Sequence, residues 1–372
     1  MAPEAVEAMV PFLADRFGNP SGSHRESRRA RRAVDDAREQ IAALLGADFS
    51  ELVFTSGGTE ADNLAVMGGW EAVSAARPSP PALVCAAMEH HAVLHACRAV
   101  AQQTGAELRE IPTAKDGIVE LDALAESCTS EVGLVAVMTV NNEIGTLQPV
   151  EAVARLVRDR CPSALFHTDA VQAVVWTEVG ARATPADLMA VSAHKFGGPQ
   201  GVGALVVRNG APLRPLIHGG GQERDRRSGT PNVAGIVAMA AALTVAHAAR
   251  PESVARVSGL RDRLGDGLLA SVTGVTETAA RDHTVAGHLH LRFAGLDREA
   301  LVILLDEAGV SVSAGAACAS GAVEPSHVLV SMGLGPEEAA GGIRFSLGPT
   351  TTVAEIDHAL AVVPSAVAQL RD

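Results

Sequence analysis

Residues 186–203 read A-D-L-M-A-V-S-A-H-K-F-G-G-P-Q-G-V-G, and they narrow the fold more than any other stretch. The apolar run Ala186–Val191 predicts a buried strand, and G-V-G-A-L-V-V-R at Gly201–Arg208 predicts the next one. Between them, Ser192-Ala-His194-Lys195 and a turn built on Gly197, Gly198 and Pro199 leave a lysine at an apolar strand end. The only other lysine is Lys115, in a turn-like K-D-G; arginine supplies the remaining basic charge. A lysine so placed reads in two ways. It is a snorkelling surface cation, or an amine whose desolvation lowers its pKa and suits it to Schiff-base or proton-transfer chemistry.

At 372 residues the chain can hold a large domain and a smaller one, and 47% hydrophobic residues allow a substantial core. A net charge of −13 argues against broad nucleic-acid binding, and 3% aromatics with no tyrosine argue against base stacking. The five cysteines, at 85, 97, 128, 161 and 318, form no C-x-x-C pair. That fits neither a disulfide framework nor a zinc ribbon, and points to the reducing cytoplasm. No basic segment followed by an apolar core opens the chain, so no secretory signal is expected. The alanine-rich stretch Ala234–Ala249, interrupted by His247, predicts a short buried helix and not a membrane span.

Strand-like and helix-like segments alternate along the chain. Residues 24–45 predict a helix closed by Gly46; its arginine run reads as a solvated face or as a partner patch. Glu51–Thr55 predicts a strand, after which Ser56-Gly57-Gly58-Thr59 opens a helix. A capped glycine turn and a phosphate cup both fit that segment, though it is neither a P-loop nor a dinucleotide fingerprint. Pro81–Met88 predicts a buried strand ending in Glu89-His90-His91. Adjacent histidines diverge and lack a partner at ligand spacing, so no metal is expected; one imidazole could stack on a planar ligand. Val132–Val140 leads into Asn141-Asn142-Glu143-Ile144-Gly145, and Ala164–His167 leads into Thr168-Asp169-Ala170-Val171-Gln172. Asp169 reads as a helix cap or as the partner of a protonated ring nitrogen, with Gln172 reaching another ring substituent.

These groups all fall at the carboxyl ends of successive strands, the edge where open α/β sheets bind ligands. Together they offer what pyridoxal 5'-phosphate requires: anion donors, a ring stacker, a partner for the ring nitrogen and a Schiff-base lysine.

The matching runs extend further. G-N-P-S-G-S-H, T-S-G-G-T-E-A-D-N-L-A, E-H-H-A-V-L, N-N-E-I-G, H-T-D-A-V-Q, S-A-H-K-F-G-G-P-Q-G-V-G-A-L, H-G-G-G-Q-E-R-D-R-R-S-G-T-P-N, S-A-G-A-A-C-A-S-G and I-R-F-S-L-G run in order from Gly18 to Gly348. In these runs the chain resembles the cysteine desulfurases of the class V aminotransferase group, in the branch with a long loop around the nucleophilic cysteine. The resemblance implies that Lys195 holds the cofactor and moves the substrate's α proton. It implies that His90 stacks on the ring, Asp169 meets the pyridinium nitrogen and Gln172 the ring hydroxyl. Gly58, Thr59, Ser192 and His194 would hold the phosphate, joined by Thr230 of a neighbouring subunit in a homodimer. Asn142 would contact cofactor and substrate, and Arg344 would pair with the amino acid's carboxylate. Cys318, among Ala, Ser and Gly, would accept sulfur from L-cysteine as a persulfide and pass it to an acceptor protein docking nearby. Cys85 and Cys97 read instead as buried structural thiols.

The fold so implied is α/β, of the pyridoxal-phosphate-dependent transferase type. A large domain would span residues 13–247, with a mostly parallel sheet covered on both faces. A smaller α+β domain would comprise 248–372 together with 1–12. Family members begin with a short strand and an A-A-T-T-P-like segment lining the substrate pocket, and M-A-P-E-A-V-E-A-M matches them just after it. Turnover, more than cofactor binding, is expected to depend on that segment. A selenocysteine lyase, an aminotransferase needing no Cys318, and a non-catalytic sulfur-relay protein are the rival functions.

Overall fold

The computed structural model describes residues 1–180, 185–315 and 325–371. They divide into two compact units, one of residues 1–111, 121–139 and 149–250, the other of residues 112–120, 140–148 and 251–372.

The first unit is built on seven strands: β1 (Leu52–Thr55), β2 (Ala82–Ala86), β3 (Leu108–Ile111), β4 (Val132–Ala136), β5 (Leu165–Asp169), β6 (Leu188–Ser192) and β7 (Gly203–Val207). Their order in the sheet is β1-β7-β6-β5-β4-β2-β3. The run from β6 to β3 is parallel, and β7 lies antiparallel to both of its neighbours. Every residue of β1, β2, β4, β5, β6 and β7 is buried. A sheet covered on both faces needs near-continuous apolar strands, and L-V-F-T, A-L-V-C-A and G-A-L-V-V supply them. β3 carries Arg109 and Glu110 because it is the edge. On one face Leu83, Val93, Leu94 and Leu134 pack together; another cluster gathers Val53, Leu64, Leu165 and Leu205. Because β1, β2, β4, β5 and β6 share one direction, their carboxyl ends share one edge.

The second unit carries β8 (Val275–Glu277), β9 (His288–Phe293) and β10 (Gly342–Ser346), antiparallel in the order β10-β9-β8. Asp297 caps the helix Arg298–Glu307 by accepting from the N–H groups of Glu299 and Ala300. Residues 140–148 belong here because Gly145 O accepts from Val285 N–H and Leu147 N–H donates to His283 O.

Several boundaries depart from the sequence expectations: residues 112–120 and 140–148, expected within the large domain 13–247, fall in the second unit. The helix Pro3–Leu13 falls in the first unit, whereas residues 1–12 are expected with the small domain. Ala2 N–H donates to Gly197 O at 2.8 Å and Ala5 is fully buried, which ties this end down. The expected short helix at 234–249 is the first part of Val233–Ser271, 39 residues long with Pro251 inside it. A proline there removes a hydrogen bond. Burial of Ile236, Met239, Leu243, Val257, Leu264 and Leu268 along its length offsets that loss. Arg250, just ahead of the proline, donates to the carbonyls of Val174 and Thr177. The helices Val233–Ser271 and Val353–Arg371 are long and apolar enough to cross a bilayer, but the first spends much of its apolar surface inside the protein.

Candidate active site

An anion cup forms where β1 ends. Gly57 has φ 153°, a conformation that disfavours side chains, and a Cβ on Gly203 of β7 would meet Gly57 Cα at 2.8 Å. The helix Gly58–Asn63 then starts with no side chain capping it, so its first N–H groups remain available to an anion. A Cβ on Gly58 would lie 3.4 Å from Ser192 Cβ, which brings the end of β6 against the turn. Ser192 Oγ is 2.9 Å from His194 Nδ1. The helix continues through a π turn, Leu64–Gly68, an irregularity common beside functional sites.

The floor of the site lies beside it. Residues two apart on a strand share a face, so His167 and Asp169 of β5 point the same way. Asp169 Oδ1 accepts from Val171 N–H at 2.8 Å, the capping role, yet the carboxyl is 5% exposed. Burial, then the nearby Asp62, raises its pKa to about 7. Asp62 Oδ1 lies 3.1 Å from His167 Nε2, both side chains buried. Glu89 is also fully buried and accepts from Met138 N–H, and burial pushes its pKa well up. His90, half-buried, begins the helix His91–Thr104 and accepts from Ala92 N–H through Nδ1 at 3.1 Å, which sets its ring orientation. Ligand atoms of Asp62, His90 and Asp169 fall within 4.8 Å of one another. His90 Nδ1 and Asp169 Oδ1 accept backbone N–H groups and Asp62 Oδ1 faces His167 Nε2, so the three line one hydrogen-bonded floor. A buried carboxyl of raised pKa that faces an imidazole edge suits a ring carrying a cationic nitrogen.

Lys195 sits in the 3₁₀ turn Ala193–Phe196, closed by Gly197 at φ 87°. It is exposed, as is His194. Partial burial and the Lys195 ammonium lower the pKa of His194, which favours a neutral ring beside Ser192. Gln172 is half-buried, three residues beyond Asp169. Thr230 is exposed and borders a cleft of about 180 Å³ with Thr55 and Ser56 of its own chain. The loop leading to Thr230 is strained: Glu223, Arg224 and Asp225 have φ of 51°, 57° and 62°. Two ion pairs hold it there. Arg38 grips Glu223 with both guanidinium nitrogens (2.9 and 2.6 Å), and Arg227 pairs with Glu60 at 2.8 Å. So one residue of the expected solvated arginine face, Arg38, is buried and paired.

In the second unit, Arg344 of β10 donates to Asn142 O at 2.5 Å. Burial lowers the pKa of Arg344, and Glu143 opposes that shift. Glu143 accepts from Ser326 Oγ, and Ser326 in turn caps the helix His327–Ser331. Cys318 lies outside the described residues. Asp62, Glu89, His167, Glu143 and the pair Arg38–Glu223 were not singled out from sequence. The available signal was the Asp of A-D-N-L-A, flanked by Ala61, Leu64 and Ala65, and a His two residues before Asp169.

An anion cup, a carboxylate floor and a lysine at one edge of a mostly parallel sheet define the fold of pyridoxal-phosphate-dependent transferases. The family described as "Aminotransferase class-V" matches residues 1–359, and the chain belongs to that family. An "IscS-like cysteine desulfurase" of Mycobacterium tuberculosis is 44% identical over 374 residues, covering 100% of this chain and 94% of that protein. A "Cysteine desulfurase" of Cereibacter sphaeroides is 45% identical over 372 residues, again covering 100% and 94%. A solved structure titled "NIFS-LIKE PROTEIN" superposes with a TM-score of 0.91 at 33% identity, covering 100% of this chain and 97% of that one.

The buried floor predicts how stability depends on pH. An acid whose folded pKa is raised contributes stability below its unfolded pKa and loses it as pH rises through the folded value. Asp169 does so up to about 7, and Asp62 and Glu89, whose pKa values burial also raises, act in the same sense. The depressed pKa values of His167 (about 4) and His290 (about 3) oppose them only below the ordinary imidazole pKa of about 6.5. Urea unfolding without cofactor is therefore expected to show stability falling as pH rises from about 6.5 through 7, with a slope on the order of 1 kcal/mol per unit.

Proposed function

We propose that the protein is a pyridoxal-phosphate-dependent cysteine desulfurase that converts L-cysteine to L-alanine and retains the sulfur on Cys318. The observation that carries the cofactor assignment is the buried Asp169 carboxyl, flanked by His90 and standing beside the Gly57–Gly58 cup. The phosphate would lie on the N–H groups of Gly58 and Thr59, the Thr59 hydroxyl, Ser192 and His194. His90 would cover the ring, Gln172 would reach its hydroxyl, and Thr230 would complete the cup of a second copy in a homodimer. When bound through the Lys195 amine, pyridoxal phosphate supplies a sink for the electrons left at the substrate's α carbon.

The chain's own residues do the rest. Arg344 and Asn142 orient the amino acid, Arg344 through a two-pronged contact with the carboxylate. The Lys195 amine removes the α proton and returns a proton to what becomes alanine. Cys318 Sγ attacks the substrate's sulfur, the C–S bond breaks, and the balance is L-cysteine plus Cys318–SH giving L-alanine plus Cys318–S–SH. An acceptor protein in the cytoplasm would then take the terminal sulfur for iron–sulfur assembly, for thiolation of tRNA or a cofactor, or for DNA phosphorothioation.

The test is an absorbance spectrum of the purified protein with pyridoxal phosphate, before and after L-cysteine, with alanine and persulfide assayed together. A cofactor band that shifts, with equal alanine and bound sulfur, is the expected result. A band that shifts without alanine, or alanine formed only with an added keto acid, would overturn the desulfurase reading. Arg344→Lys keeps the charge but loses the fork, and is expected to raise KM for L-cysteine roughly 10- to 100-fold with a smaller change in kcat. Steady-state kinetics checks that split.

A further inference from the structure

The floor beneath the proposed cofactor ring holds three buried carboxyls, Asp62, Glu89 and Asp169, and two imidazoles, His90 and His167. Cys85 adds a thiol near enough to Glu89 to help raise its pKa. Three carboxylates cannot all stay charged in so small a buried space. The ring nitrogen would bring a single positive charge. The chain therefore has to determine which carboxyl is ionised.

The hydrogen bonds of His167 determine it for Asp62. His167 Nδ1 lies 3.2 Å from Leu188 O. A carbonyl oxygen only accepts, so Nδ1 carries a proton. His167 Nε2 lies 3.1 Å from Asp62 Oδ1. If Asp62 were ionised and His167 neutral, a lone pair would face a carboxylate with no proton between them, inside the protein. A proton on either partner turns the contact into a hydrogen bond, and in both cases the pair has no net charge. Burial pushes the Asp62 pKa up and that of His167 down to about 4, which puts the shared proton on Asp62. Asp169 has a different local partner, the Val171 N–H, which favours its ionised form.

We propose that Asp62 is a positioning residue that shares one proton with His167 and so stays uncharged behind Asp169, leaving Asp169 to meet the cofactor's cationic ring nitrogen one to one. The proposal rests on the pyridoxal phosphate reading above for its purpose, but the shared proton exists in the protein without cofactor. Glu89 Oε1 accepts from Met138 N–H, and as a third carboxyl nearby Glu89 adds to the cost of charging Asp62.

Infrared spectroscopy of the full chain with isotope-labelled aspartate tests the proton directly, at about pH 8.5, above the titration of Asp169. A protonated-carboxyl stretch is expected in the wild type and in Asp169→Asn, and is expected to vanish in Asp62→Asn. Pyridoxal phosphate binding supplies a second readout. Asp62→Leu leaves His167 Nε2 without a donor and is expected to weaken binding about 10- to 100-fold. Asp62→Asn, whose amide can donate to Nε2, is expected to restore it to within about threefold of wild type. Absence of the stretch in the wild type would overturn the proposal. So would an Asp62→Asn loss of affinity equal to that of Asp169→Asn, because Asp62 would then act as a second negative charge. If the wild type takes up no pyridoxal phosphate, the cofactor reading fails while the infrared result still decides the shared proton.

Discussion

Lys195→Ala is expected to abolish alanine formation, with a loss on the order of 10⁴-fold or more, since it removes both the covalent tether and the group that moves the α proton. The residual cofactor binding is as informative as the lost rate. The anion cup around Gly57, Gly58 and Ser192 and the Asp169 floor do not involve the lysine side chain, so they should still capture pyridoxal phosphate. That binding becomes reversible. Borohydride treatment followed by mass measurement is expected to fix the cofactor to the wild-type chain and to leave Lys195→Ala unlabelled. Labelling of the variant through Lys115, the other lysine, would move the tether elsewhere and refute the assignment. The exposure of Lys195 bears on this result. An exposed amine can be reached by the cofactor's aldehyde.

The elements that place the site were readable because each is a local pattern. An apolar run of about five residues followed by Gly, Thr, His, Asp or Lys marks a strand with a polar group at its carboxyl end. The parallel order of β2, β4, β5 and β6 then collects those ends on one edge. What escaped the sequence reading depends on pairing between distant positions. Asp62 and His167 are 105 residues apart, and Arg38 and Glu223 are 185 apart. Nothing near Arg38 in R-R-A-V-D-D-A-R-E distinguishes it from the exposed arginines of the same helix, apart from falling on the face of Val34 and Ile41. Its guanidinium also lies 4.5 Å from the Phe54 ring centroid, a contact made only once β1 is in place. The long helix Val233–Ser271 outruns its local signals for a related reason. Local propensity at His247 and Pro251 favours a stop, and burial on both sides of them overrides it.

Cys318→Ser is expected to separate the two halves of the reaction. The cofactor spectrum and its response to L-cysteine should survive, because no residue assigned to the ring, the phosphate or the carboxylate is altered. Alanine and protein-bound sulfur should both fall by on the order of 100-fold or more, since a serine oxygen cannot serve as the thiolate that takes the substrate's sulfur. The remaining thiols offer no substitute: Cys85, Cys97, Cys128 and Cys161 are all buried. The hydrogen bond with Cys97, then burial, raises the pKa of Cys85, and that with Cys161, then burial, raises that of Cys128. The same hydrogen bond lowers the pKa of Cys161, but that thiol is buried like the other three, and a buried thiol cannot reach a bound amino acid. Persulfide mapping in the wild type should therefore find Cys318 alone. Wild-type rates of alanine release from Cys318→Ser would mean that the sulfur leaves without an enzyme nucleophile, and would return the protein to the lyases or aminotransferases that share its cofactor chemistry.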